Sequence, residues 1–254
     1  MKNLIRETYN LTDIQAEVLL EIARHGFMTV NVLEILTYNY SDTYAYRVIK
    51  RLEKLKLVRL KKASIIPGSK FIIYPKQKVK DLLKEKSYTV PMPPKSAIQY
   101  RHNLIAIAVI LIEKQLKNAD GYLTTNQVNK FKDEGKWRSR KTPDGIIIKN
   151  KKGYLIEVEL HVKAYRKYQD AFAAIEIEDN ISVLKRGWIN NIYYVDSRKA
   201  EKKMNKIINW LKKFREEVSE VAEKTVVVYL QDLLDEFNER FSSNIKLEIF
   251  HPVI

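Results

Sequence analysis

Three carboxylates of the sequence have the spacing expected of metal ligands on neighbouring β-strands. Asp144 precedes the strand-like run "GIIIK", and Glu157 and Glu159 alternate along the next one, "YLIEVEL". Side chains two residues apart on a strand share a face. Three carboxylates at adjacent strand ends repel one another, and Mg²⁺ or Mn²⁺ relieves this because it binds oxygen ligands. The pattern therefore predicts a metal site held by Asp144 and Glu157; the alternative is an amphipathic hairpin with an exposed acidic face.

A divalent cation held in this way would activate water and stabilise the charge that develops on a phosphodiester during hydrolysis. A nearby lysine would add a positive charge at the scissile phosphate. The carboxylates predicted to act in catalysis are Asp144, Glu157 and Glu159. His161 alternates along the same strand face and is a candidate for the same cleft. Tyr165, Tyr168 and Gln169 are expected to line a DNA groove or merely to pack.

A basic loop, "WRSRK", comes just before Asp144. Its arginines, Arg138 and Arg140, suit a phosphate backbone, although a solvated loop has the same composition.

The overall charge favours a polyanionic partner. The chain has 254 residues, with 46 Lys+Arg against 31 Asp+Glu, a formal charge of +15. Such a balance is most often found in nucleic-acid-binding proteins, although an AT-rich genome also produces Lys-rich and Asn-rich chains. Cysteine is absent, which excludes disulfides, thiolate zinc sites and a cysteine nucleophile. The four histidines are scattered, which argues against a multi-histidine zinc site.

The first third of the sequence predicts a winged helix-turn-helix. A helix starting at Thr12 and ending at Gly26 is followed by a short helix, a third helix, and two strands joined by a Pro-Gly turn. The third helix would fit the major groove of double-stranded DNA, with the wing beside it on the backbone. Winged helices that bind protein or form dimers are the alternative. The predicted DNA contacts are Arg47, Lys50, Arg51, Lys54, Lys61, Lys62 and Lys70.

The domain organisation predicted from these elements is α+β in two parts. Residues 1–85 are expected to form the winged helix, residues 86–96 a Pro-rich linker, and residues 97–254 an α/β domain with a mixed sheet flanked by helices. Neither a signal peptide nor a run long enough to span a membrane is apparent. We therefore expect a soluble, cytoplasmic protein without a membrane partner.

The residues Pro143-Asp144, followed on the next strand by Glu157 and Glu159, resemble the core of the PD-(D/E)XK nucleases. The predicted α-β-β-β-α-β order matches that core as well. The usual pattern has a lysine where this chain has Glu159, so that Lys163 is the expected substitute. A winged helix joined to a "PD…ExE…K…Y" domain, with His102 before it and Tyr168 at its end, is similar to the replication-relaxation family of plasmids and other mobile elements.

The resemblance implies a DNA-handling protein of plasmid replication or transfer, with Lys163 as a fourth catalytic residue and His102 as a candidate cleft residue. The first hypothesis is an Mg²⁺- or Mn²⁺-dependent endonuclease that nicks DNA, working with a relaxase, a replication initiator or a transposition partner. A homodimer that reads a palindromic site is compatible with the sequence. The alternative is a catalytically inactive accessory factor for plasmid replication, conjugative relaxation or transcription control.

Overall fold

The computed structural model of the chain describes residues 1–41, 43–64, 66, 68–137, 139–175 and 188–251. They divide into two compact units. The first holds Met1–Ala108 with Asn238–Ile249, and the second holds Val109–Phe237 with the end of the chain from Phe250. Both units combine helices with a sheet, and the predicted mixed sheet flanked by helices is confirmed in the second.

The first unit is built from helices around a small antiparallel sheet of order β1-β3-β2. Thr12 accepts a hydrogen bond from the Gln15 backbone and Gly26 adopts φ 79°, so the second helix begins and ends where the sequence predicts. The elements are α1 Lys2–Tyr9, α2 Asp13–His25, β1 Met28–Thr29, α3 Val30–Glu34, α4 Tyr44–Lys54, β2 Val58–Lys62, β3 Phe71–Pro75 and α5 Gln77–Lys84.

Helix α4 buries one face and exposes the other. Ala45, Val48, Ile49 and Leu52 recur at helical spacing and are buried, which directs the basic residues between them to solvent.

The β2–β3 loop is fixed at Gly68, whose φ is 68° and whose Cβ, if present, would lie 2.8 Å from the Glu248 carboxylate. Asn31 donates to the Gly68 carbonyl at 3.1 Å.

The segment 86–96 contains no helix or strand and belongs to the first unit. Tyr88 donates from its hydroxyl to the Arg24 carbonyl at 3.1 Å.

The second unit is organised around a five-stranded sheet of order β4-β5-β6-β7-β8. β4, β5 and β6 are antiparallel neighbours, whereas β7 runs parallel to β6, and β8 parallel to β7. The elements are α6 Ala97–Leu116, which begins in the first unit, β4 Gly121–Thr124, α7 Thr125–Asp133, β5 Gly145–Lys149, β6 Lys152–Glu159, α8 Tyr165–Ala173, β7 Trp188–Val195, α9 Arg198–Phe214, α10 Glu216–Glu223, β8 Thr225–Tyr229 and α11 Leu230–Phe241.

The runs "YLTTNQVNKF", residues 122–131, and "NIKLEIF", residues 244–250, both predict strands, and the structure differs from both predictions. The run from Tyr122 to Phe131 is a strand only to Thr124, because Thr124 and Gln127 form a capping box that starts α7. The last predicted strand, residues 244–250, is irregular and ends in a 3₁₀ turn, Glu248–Phe250. The helix predicted after Ala164 is α8; its predicted continuation over residues 176–187 lies outside the described residues.

Within the described part of the chain, no helix has the length and apolar character needed to cross a membrane.

Candidate functional site

The sheet register brings the three predicted carboxylates to one end of β5 and β6. β5 starts at Gly145 opposite Ile156 of antiparallel β6, so Asp144 lies at the level of Glu157. Glu159 is the last residue of β6 and shares the face of Glu157. We call Asp144, Glu157 and Glu159 the carboxylate cluster.

Asp144 is held rigidly by the backbone of β6. Its N–H donates to the Ile156 carbonyl at 2.9 Å, and its Oδ2 accepts a hydrogen bond from the Val158 N–H at 2.8 Å. One carboxylate oxygen is therefore anchored to the neighbouring strand, which fixes the side chain at the edge of the cluster.

Glu157 is buried, and its pKa is raised. Its side chain is 12% exposed. Burial raises the pKa of Glu157 to about 7, against the opposing charge of Lys141 and with smaller contributions from the negative charges of Asp144 and Glu159. Glu157 therefore loses its proton at a higher pH than an exposed glutamate does.

Lys141 is the cation that faces Glu157. Its Nζ lies 2.8 Å from Glu157 Oε1 and donates to the Tyr193 hydroxyl at 2.7 Å. Burial lowers the pKa of Lys141, but Glu157 and Tyr193 outweigh it, so the net direction is upward. Lys141 thus remains charged at neutral pH, inside the unit and against the carboxylate cluster.

The loop that carries Lys141 is fixed by packing. Trp137 is buried, and its indole N–H donates to the Lys141 carbonyl at 3.0 Å. The backbone N–H of Arg140 donates to the Ala174 carbonyl at 3.0 Å. The sequence places Lys141 in the basic loop but gives no sign that it pairs with Glu157; the only available signal is a lysine three residues before Asp144.

Glu159 and Lys163 form the outer part of the site. Glu159 is 8% exposed, and Lys163 Nζ lies 3.1 Å from its Oε2. The Lys163 side chain is 60% exposed. Its backbone N–H donates to the Tyr168 hydroxyl at 3.1 Å, and the ring of Tyr168 packs edge-on against Tyr193.

Two of the other predicted residues, Gln169 and Tyr165, have partners outside the carboxylate cluster. Gln169 donates to Glu217 at 2.8 Å, and Tyr165 packs against Trp210 with ring centroids 4.8 Å apart. His161 is exposed just beyond β6. His102 lies on the part of α6 that belongs to the first unit. Of the two predicted arginines, Arg140 is exposed and Arg138 lies outside the described residues.

Two lysines compensate the negative charge of the carboxylate cluster: Lys141 pairs with Glu157, and Lys163 pairs with Glu159. In the part of the chain that the structure describes, no three His, Asp or Glu side chains are grouped so that they could hold a metal ion. A cation would instead have to displace Lys141 from Glu157. Asp144 and Glu159 both act electrostatically on Glu157, and carboxylate oxygens are the ligand type that Mg²⁺ prefers.

A second candidate surface lies on α4 in the first unit. Tyr40 and Tyr44 stack with centroids 4.2 Å apart, and the Arg47 guanidinium lies 5.4 Å from the Tyr44 ring centroid. The predicted DNA contacts of α4 and the β2–β3 hairpin are all exposed: Arg47, Lys50, Arg51, Lys54, Lys61, Lys62 and Lys70.

Comparison with known proteins matches no protein family, no curated protein and no solved structure. The assignment of function therefore depends on the two surfaces themselves.

Proposed function

We propose that the protein binds double-stranded DNA through its first unit and nicks a DNA strand through a metal-dependent site in its second unit. The observation that carries this proposal is Glu157, buried between two other carboxylates and facing Lys141 at 2.8 Å. Buried like charges are costly, and strongly perturbed acids are concentrated at functional sites. The biological setting proposed is a plasmid or other mobile element.

The topology supports a PD-(D/E)XK-like core as part of this proposal. β4, β5 and β6 form an antiparallel meander, and α8 then leads to β7, which is parallel to β6. Asp144 precedes the second strand of the meander and Glu157 lies on the third. This is the order in which the sequence resemblance places those residues.

The first unit supports a winged helix in the same way. α4 follows α1, α2 and α3 and precedes the β2–β3 hairpin, and β1 pairs with β3 to complete a three-stranded sheet. The exposed basic face of α4 would enter the major groove.

Asp144 and Glu157 would hold a Mg²⁺ or Mn²⁺ ion, with Glu159 beside them. When bound, the ion supplies Lewis-acid stabilisation and a lowered pKa of its bound water. If Glu157 bound the ion, the Lys141 ammonium, which donates to the Tyr193 hydroxyl, would be available to a phosphate oxygen. Lys163, largely exposed, would orient the strand from outside, with its backbone held by Tyr168.

The proposal is tested by incubating the full chain with supercoiled plasmid in Mg²⁺, in Ca²⁺ and in a chelator. We expect open-circular DNA to accumulate in Mg²⁺ and the plasmid to stay supercoiled in the chelator. Plasmid that remains supercoiled in all three conditions, and in Mn²⁺, contradicts the nuclease.

A second candidate function is an accessory DNA-binding factor without catalysis. The observation that favours it is that both glutamates already have ion-pair partners, Lys141 for Glu157 and Lys163 for Glu159. Such pairing compensates the carboxylates without a metal. The plasmid assay separates the two functions, because the accessory factor would bind DNA and leave it uncut.

Replacing Arg47, Lys50 and Arg51 by glutamine is expected to weaken binding to duplex DNA. The logarithm of the binding constant falls linearly with the logarithm of the salt concentration, and each lost phosphate contact makes that slope shallower by about 0.9. Loss of three contacts should therefore make the slope shallower by about 2 to 3. Fluorescence anisotropy of a labelled duplex over a range of salt concentrations measures both changes.

The matched control is the triple variant with glutamine at Lys80, Lys84 and Lys86, on and just after α5 in the same unit. It removes the same charge from another surface. Equal losses in the two variants would mean that α4 has no special role.

A further inference from the structure

Helix α9 carries an exceptional charge. Its 17 residues include seven of the chain's lysines and arginines and a single acidic residue, Glu201. Residues 96–254 contain 28 Lys+Arg and 22 Asp+Glu. The net charge of +6 in that stretch equals the net charge of α9 alone. Outside α9, the positive and negative residues of the stretch therefore balance.

The charge is confined to the outer face of α9. Met204, Ile208 and Leu211 are buried in the core of the second unit. The opposite side forms a shallow open depression, lined by Arg198, Lys199, Lys202, Lys203 and Lys206.

The lysines of this face are poorly compensated. Arg198 is paired with both Glu201 and Asp232. Among the described residues, by contrast, no carboxylate forms an ion pair with Lys199, Lys202 or Lys206. Like charges four residues apart on a helix destabilise it. The face therefore lowers the stability of α9 unless an external anion binds to it.

The basic face adjoins the carboxylate cluster. α9 begins directly after β7, where Val195 is paired with Glu159. Lys203 Nζ donates to the Val162 carbonyl at 2.8 Å, one residue before Lys163. The cationic surface thus starts beside the loop that follows Glu159. The depression runs from Arg198 to Lys206, about 12 Å along the helix axis, which matches about three to four base pairs of B-DNA.

We propose that the outer face of α9 binds the phosphate backbone of duplex DNA and leads it to the carboxylate cluster. The occupant is a double-stranded polyanion because the depression is open and is lined by lysines and an arginine, not by the aromatic side chains on which the bases of single strands stack. Only the delivery of DNA to a reaction at the carboxylate cluster rests on the proposed function. Binding by α9 is a separate claim, so the two can fail separately.

The experiment compares two triple variants of the full chain. The first replaces Lys199, Lys202 and Lys206 by glutamine. The control replaces Lys149, Lys151 and Lys152, at the β5–β6 turn and so at the opposite end of β6 from Glu159. Binding of a labelled random-sequence duplex is measured by anisotropy in Ca²⁺ over a salt series, and plasmid nicking is measured in Mg²⁺.

We expect the α9 variant to bind duplex at least about tenfold more weakly, with a salt slope lower by about 2 to 3, and the control variant to stay close to the native protein. A further variant with arginine at the three α9 positions keeps the charge and should restore binding. Circular dichroism melting establishes that each variant is folded.

Binding by the α9 glutamine variant that equals that of the native chain or of the control overturns the proposal. The proposal is also overturned if the α9 glutamine variant binds duplex normally but no longer binds vesicles of anionic phospholipid. That result would assign the face to a membrane surface. A selective loss of duplex binding in a protein that never nicks plasmid supports the α9 surface and contradicts the nuclease alone.

Discussion

Replacement of Asp144 by asparagine is expected to abolish Mg²⁺-dependent nicking while the protein stays folded. Asparagine keeps the shape of the side chain, and its carbonyl oxygen still accepts the hydrogen bond that Asp144 takes from the Val158 N–H. It removes the charge that a cation needs. Loss of an outer-shell partner alone typically lowers metal affinity or activity by 10–100-fold, so that loss of a direct ligand should reduce nicking at least about a hundredfold.

The chain offers a matched control at the other end of the sheet. Asp120 also accepts a hydrogen bond from a backbone N–H, that of Asn150, at 2.7 Å. Asp120→Asn makes the same chemical change away from the carboxylate cluster and should nick at the native rate. If Asp144→Asn cuts as fast as Asp120→Asn, the cluster is not the catalytic site.

Replacement of Lys141 by methionine is expected to have the largest effect on stability. Breaking a buried ion pair typically costs about 3–5 kcal/mol. Because Lys141 lowers the pKa of Glu157, its loss raises that pKa further, so the full cost is reached only where the pH is high enough to ionise Glu157 in the variant. The loss should depend on pH. The pKa of Glu157 is raised to about 7, so the stability that protonation of this group provides is present at low pH and lost as pH rises through about 7.

The penalty for Lys141→Met should accordingly be large at about pH 8 and much smaller at about pH 5, where Glu157 takes up a proton. Urea unfolding of the native chain and the variant at both pH values measures it. Lys163→Met is the control, because Lys163 is largely exposed and such pairs contribute about 0–1 kcal/mol. A penalty that is the same at both pH values would contradict the assignment.

The double variant Lys141→Met with Glu157→Gln tests whether Lys141 stabilises the protein through its charge. Removing both charges together leaves no unpaired ion, so much of the stability lost at about pH 8 should return. A double variant as unstable as Lys141→Met would mean that Lys141 acts by packing rather than through Glu157.

The sequence could predict the parts of the site that are local. Glu157 and Glu159 alternate on a strand, and the antiparallel register of β5 and β6 then places Asp144 beside them. It could not predict the partner of Glu157. Lys141 reaches it because Trp137 is buried and Tyr193, 52 residues further along the chain, fixes the ammonium.

The two strand predictions that differ from the structure do so for physical reasons. Thr124 and Gln127 have the spacing of a capping box, a legible signal that outweighs the strand-like pattern of the residues before them. At the end of the chain, the period-two pattern favours a strand. There, however, the side chain of Asn238 binds both the N–H and the carbonyl of Ile245, and so takes the place of a neighbouring strand.

The central claim, that the carboxylate cluster binds a divalent cation, is tested most directly by calorimetric titration of Mn²⁺ into the native chain and Asp144→Asn. The titration is made at about pH 8, where Glu157 is largely ionised. We predict one site per chain in the native protein and no measurable site in Asp144→Asn. Equal heats in the two proteins, or no binding to the native chain, would contradict the claim and leave Lys141 and Lys163 as the permanent partners of the cluster.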